Sequence, residues 1–83
     1  MTNEQIESFL AKKEIDESKI RINFKSRNPV VGIFIQTNDY TELKSKNFWR
    51  VVGESSMDEY KKTKDVKLAR IFNGSEFTRL GLL

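Results

Sequence analysis

Neither cysteine nor histidine occurs anywhere in the 83-residue sequence. Without cysteine there is no disulfide framework and no thiolate metal site. Without histidine the commonest general base and the commonest metal ligand are both missing. Oxygen ligands remain, but Asn38-Asp39 and Asp58-Glu59 lack the spacing of a calcium loop and read as turn and surface acids. No histidine is available to activate a serine or threonine, and adjacent residues such as Ser45-Lys46 rarely form a Ser–Lys pair. The four glycines are scattered rather than gathered into a phosphate-cradling loop. Paired carboxylates for glycoside chemistry need a deep cleft, which so short a chain does not easily build. The expectation is a non-enzymatic protein with no cofactor and no metal.

Long apolar runs are missing too. None approaches the roughly 18 residues of a membrane span. The opening Met1-Thr2-Asn3-Glu4-Gln5 is polar and acidic, unlike a signal peptide. A cytoplasmic location without membrane association is expected.

What is present is enough to fold. Six Phe, one Trp and two Tyr are spread along the chain, and each such residue buries a large apolar area. The chain is one domain, residues 1–83, with no repeat, low-complexity segment or linker. Its core is modest at this length, so a partner subunit is a natural source of added stability. Charge is divided unevenly. Residues 1–18 hold Lys12 and Lys13 against Glu4, Glu7, Glu14, Asp16 and Glu17, a net of −3; residues 19–83 hold 13 basic against 7 acidic residues, a net of +6. A basic body attracts nucleic acid or other polyanions, although an ordinary solvated surface has the same composition.

Hydrophobic periodicity predicts a helix over 3–13. Thr2 or Asn3 can cap it, Glu4 suits its first turn, and Ile6, Phe9, Leu10 and Lys13 share one stripe. Asp16 to Ser18 reads as a turn. From Lys19 to Lys25 apolar and polar residues alternate strictly, with Ile20, Ile22 and Phe24 facing in. Ser26-Arg27-Asn28-Pro29 is turn chemistry, and Val30 to Gln36 is a second strand, forming a hairpin with the first. Gly32 within it marks a bend or a close backbone approach. Residues 40–46 fit a helical turn or a loop. Asn47 to Val52 reads as a third strand, Met57 to Lys62 as a short helix capped by Ser56, and Val66 to Phe72 as a fourth strand. Asn73-Gly74 is a strong tight-turn signal, read as a hairpin or a strand–turn–strand corner, before a fifth strand over 75–80 and a three-residue tail. The fold class expected is mainly β behind an N-terminal α-helix, with a β body over about 19–80. Five short strands point to a small, strongly bent antiparallel sheet or barrel, with open edges closed or paired between subunits.

Two segments carry binding chemistry. Lys44-Ser45-Lys46-Asn47-Phe48-Trp49-Arg50 interleaves cations with aromatic faces; lysines neutralise phosphates, and a stacked base is worth roughly 1–3 kcal/mol. Phe48 and Trp49 point to opposite faces of a strand, so at least one is expected in the core. Around Asn73-Gly74, Arg70 and Asn73 are placed where a ligand can reach them. The candidate nucleic-acid-binding residues are therefore Lys44, Lys46, Phe48, Trp49, Arg50, Arg70 and Asn73.

The order of elements resembles the Sm-like family of Sm, archaeal Sm-like and bacterial Hfq proteins. Gly32-Ile33-Phe34-Ile35-Gln36-Thr37-Asn38-Asp39 is similar to its first motif, and Leu68-Ala69-Arg70-Ile71-Phe72-Asn73-Gly74 to Leu80 to its second, with Asn73 where an Arg or Lys is usual. The resemblance implies an SH3-like bent sheet, a ring-forming homo-oligomer and single-stranded RNA as ligand, with Asn38-Asp39, Asn73-Gly74 and Arg70 on the inner face. Lys-Asn-Phe-Trp-Arg and Ile-Phe-Asn-Gly also resemble stretches of a group of short bacterial proteins, a likeness that brings no activity with it. Two functional readings stay open: a module for single-stranded RNA or another nucleic acid, and a protein–protein interaction or scaffold module.

Overall fold

The computed structural model describes residues 1–12 and 18–83, Lys12 by its backbone alone. Helix α1 spans Asn3–Lys12. Its first turn is closed reciprocally: the Gln5 N–H donates to the Thr2 hydroxyl at 3.1 Å, and the Thr2 N–H donates to Gln5 Oε1 at 3.0 Å. This is a capping box with glutamine as its third helical residue. Ile6 is fully buried, and Phe9 and Leu10 pack beside it. Lys13 and the turn expected at Asp16 and Glu17 lie outside the described residues.

Five strands follow: β1 (Ile20–Phe24), β2 (Val30–Ile35), β3 (Phe48–Gly53), β4 (Ala69–Asn73) and β5 (Phe77–Leu82), with short helices α2 (Tyr40–Ser45) and α3 (Met57–Thr63). They form one antiparallel sheet in the order β4-β3-β2-β1-β5. The two end strands do not pair with each other, so the sheet is not closed into a barrel. It is nonetheless curled. Phe24 of β1 and Phe72 of β4 lie three strand spacings apart, about 14 Å in a flat sheet, yet their ring centroids are 5.6 Å apart.

The core lies on both faces. Strand alternation sends Ile20, Ile22, Trp49, Val51, Phe77 and Leu80 to the concave face, beneath α1, where they join Ile6. The convex face buries a smaller group, Ile33, Ile35 and Val52, under Met57 and Tyr60 of α3. Gly32 is a point of close approach, as expected. A Cβ there would lie 2.8 Å from Val51 Cγ1 and overlap the Val52 carbonyl oxygen.

Three expectations need correction. Val66–Leu68 is a 3-10 turn rather than the start of β4. Asp65 caps it by accepting from the Lys67 N–H at 2.9 Å, which satisfies a turn that strand geometry would leave open. Asn73-Gly74 is not a tight hairpin turn. Gly74 has no positive φ, and β4 and β5 leave in different directions as the two ends of the sheet. Instead Asn73 accepts from the Ser75 N–H at 3.0 Å and opens a 3-10 turn over Gly74–Glu76. The last residues are not a free tail, because β5 continues to Leu82, with Gly81 and Leu82 opposite Arg21 and Ile20.

Gly74 is buried under α1, where a Cβ would overlap Asn47 Oδ1 and meet Ile6 Cδ1 at 2.5 Å and Trp49 Nε1 at 2.8 Å. Gly81 faces open space. Overfilling a closed site costs about 1–3 kcal/mol, whereas an exposed substitution stays within about 0.5 kcal/mol. Gly74→Ala is therefore expected to lower stability by about 1–3 kcal/mol and Gly81→Ala to leave it nearly unchanged, as read from urea midpoints. Equal losses in the two variants would refute this packing account.

Candidate nucleic-acid interface

Strand β1 ends at Phe24 and the chain turns through Ser26 to Pro29. The turn carries Arg27 back over the concave face. Its guanidinium carbon lies 5.0 Å from the Phe24 ring centroid and 5.6 Å from that of Phe72. Such cation–π contacts fix the plane of the guanidinium and leave its edges free to donate. The two rings touch each other at a 50° tilt, and Phe24 is braced edge-on by buried Phe77 at 5.3 Å. Arg27 thus sits on an aromatic platform built from β1 and β4.

Two depressions meet at this platform and share Arg27 and Phe72. One, of about 250 Å³, opens toward Ser26, Asn73 and Glu76. The other, of about 240 Å³, runs toward Val51, Gly53, Ser55 and Arg70. Arg70 lies two residues before Phe72 in β4 and opposite Val51, so it projects from the same face. It is exposed and has no acidic partner among the described residues. Together the depressions make a groove with two arginines above an aromatic floor, opposed by one carboxylate, that of Glu76.

The seven residues singled out in the sequence do not form one site. Arg70 and Asn73 line the groove, Arg70 in one depression and Asn73 in the other. Asn73 Oδ1 is engaged by the Ser75 N–H and hydroxyl. Trp49 is 1% exposed. Its indole N–H donates to Asn47 Oδ1 at 2.8 Å, so it is a core residue with no face for a base to stack on. Phe48, its neighbour on the opposite face, is half-buried. The three cations of that segment are bound to carboxylates. Lys44 pairs with Glu7 of α1 and lies 5.4 Å from the Tyr40 ring centroid. Lys46 pairs with Glu42 at 3.6 Å, and Arg50 with Asp39 at 2.7 Å.

Arg27, Phe24 and Phe72 were not marked as binding residues in the sequence. Phe24 reads as an inward-facing position by alternation, Phe72 as the end of the fourth strand, and Arg27 as part of a turn. Only the curl of the sheet brings the β1–β2 turn onto β4. Among the described residues, no three acidic side chains gather as a metal site, and no helix is long and apolar enough to cross a membrane. The chain matches no protein-family model, no curated protein and no solved structure, so the groove is interpreted from its own geometry.

The ion pairs shape the pH response. The Arg50 hydrogen bond, and then that of the Thr37 hydroxyl, hold the Asp39 carboxyl below its usual 3.8; desolvation opposes them. The hydrogen bond to Glu7 raises Lys44 above its usual 10.5. A depressed carboxylate stabilises the fold above its unfolded pKa, and that contribution is lost as pH falls through the folded value. Asn at position 39 has no such titration. The stability advantage of the native chain over Asp39→Asn, measured by urea unfolding, is therefore expected at pH 6 and to shrink below about pH 4. An advantage that stays constant down to pH 2.5 would show that Asp39 is not held by Arg50.

Proposed function

We propose that this chain is a non-enzymatic binding module for single-stranded nucleic acid, RNA in the first place, held in the groove of Arg27, Arg70, Phe24 and Phe72. The observation that carries this reading is the convergence of two arginines, neither in an ion pair among the described residues, on one half-buried aromatic platform. Arginine suits phosphate because its planar fork donates to two oxygens at once. Unpaired bases are held by stacking on aromatic rings or on a guanidinium plane. The groove offers both within the span of a few nucleotides. The absence of histidine and cysteine supports the non-enzymatic part of the reading.

The Sm-like resemblance points the same way. A helix precedes β1, the strands run β4-β3-β2-β1-β5, and a 3-10 turn joins β4 to β5, an order compatible with an open SH3-like sheet. Anisotropy titrations with labelled U12 and A12 test the reading. Binding at 50 mM salt is expected, weakening steeply as salt rises. Each phosphate contact on a single strand contributes about 0.7 to the slope of log K against log salt. Arg27→Gln with Arg70→Gln should therefore make the slope shallower by about 1.4. If neither oligonucleotide binds at low salt, the proposal fails.

A second reading, self-association into the homo-oligomer that the resemblance implies, is favoured by the sheet ends. Ile71 on the β4 edge is 51% exposed and Leu82 on β5 is 46% exposed, and unpaired edges invite strand addition. Sedimentation is expected to give a mass above the 9.7 kDa of one chain, reduced to one chain by Ile71→Lys. A monomeric native protein at micromolar concentration would exclude it.

A further inference from the structure

The convex face is only half covered. Helix α3 packs on Ile33, Ile35 and Val52, that is on β2 and β3. The β1–β5 half carries no helix among the described residues, and it is there that Arg21 and Arg79 emerge. Their neighbours Ile20, Ile22 and Leu80 are buried on the other face, so alternation directs both arginines outward on the convex side. The register puts Asn23 opposite Arg79 and Gly81 opposite Arg21. The arginines are therefore diagonal neighbours on adjacent strands, within mutual reach of long side chains. Both are exposed, and neither has an acidic partner among the described residues.

Between them lies a depression of about 380 Å³, also lined by Asn23, Gly81, Leu82 and Leu83, with no acidic side chain among the described residues in its wall. Gly81 contributes the space, since nothing stands within 4 Å of the Cβ it lacks. Two like charges on adjacent strands repel and destabilise a sheet. An anion seated between them reverses that term and gains hydrogen bonds from two guanidinium forks and the Asn23 amide.

We propose that this depression is a phosphate-binding site, and that its phosphate is a backbone group of the same strand that occupies the groove. The second half rests on the function proposed above. Phe24, in the groove wall, and Asn23, in the depression, are consecutive residues of β1 on opposite faces. A strand leaving the platform at Phe24 reaches the depression by rounding the end of β1, past exposed Lys25. The protein then grips its ligand on both faces of the sheet at the end of β1.

The site and its ligand are tested separately. Sodium tripolyphosphate, titrated into 15N-labelled protein, should shift the amides of Arg21, Asn23, Arg79 and Gly81 together, and Arg21→Gln with Arg79→Gln should abolish those shifts. No clustered shift, or one that survives in the double variant, overturns the site whatever the protein does with RNA. The ligand is read from U12 binding. The double variant should make the slope of log K against log salt shallower by about 1.4, the share of two phosphate contacts. With the tripolyphosphate shifts present, an unchanged slope overturns the backbone assignment. No U12 binding by the native chain removes the proposed function and leaves a site for free polyphosphate. Both substitutions are on exposed positions, and a urea midpoint no lower than that of the native chain confirms that the variant is folded.

Discussion

The fold hangs on a small polar junction at Asn47. This residue adopts a left-handed conformation, φ 64°, which asparagine tolerates better than most residues. From there its carbonyl accepts from the Gly74 N–H at 2.7 Å, its Oδ1 from the Trp49 indole, and its Nδ2 donates to the Met1 carbonyl at 3.0 Å. The Met1 amino group in turn donates to the Gly74 and Phe77 carbonyls. Helix α1, the start of β3 and the turn between β4 and β5 are thus tied at one point. These part-buried hydrogen bonds share groups with one another, and a linked polar network of this kind favours a single arrangement. Gly74 is required there for want of space.

That junction explains why the sequence was legible in its strands and misleading at its turns. The strict alternation from Ile20 to Phe24 and the apolar run from Val30 to Ile35 can be satisfied in only one register once one face is buried, and the strands lie where the pattern puts them. Turns are decided by alternatives nearer in energy. Asn73-Gly74 favours a primed hairpin turn in isolation, but the Asn73 side chain competes for the backbone N–H two residues on. Packing of Gly74 against Ile6 and Trp49 then decides for the 3-10 turn. Val66 to Leu68 shows the same competition, with Asp65 as the capping acceptor.

The site was less legible than the fold, for an electrostatic reason. Charge counted along a sequence says nothing about pairing. Lys44, Lys46 and Arg50 look like a cationic stretch, yet their carboxylates come from α1, from the turn before α2 and from α2 itself. Each such pair sets a negative charge beside the positive one and so weakens the attraction that a phosphate would meet. The arginines with no acidic partner among the described residues, Arg27, Arg70, Arg21 and Arg79, are scattered over three strands and a turn, and no local motif joins them.

The aromatic platform has a further consequence. Phe24 and Phe72 line the proposed binding groove and also pack against the principal core cluster, so they cannot be freed from one role to serve the other. Residues that must stay packed keep fixed rings, and these hold the Arg27 guanidinium that lies over both of them; under the proposed function a base stacking on that guanidinium meets a preorganised surface rather than one it must order, which lowers the entropy lost on binding. The same rigidity limits discrimination. Every base has a π-face, so under the proposed function a fixed platform beneath two arginines favours single-strandedness over sequence. In the proposed complex the polar side chains at the rim of the groove, Ser26, Asn73 and Glu76, are placed to meet a base edge. Asn73 already spends its acceptor on the 3-10 turn, which leaves its amide donors as the rim group that the fold itself holds in place.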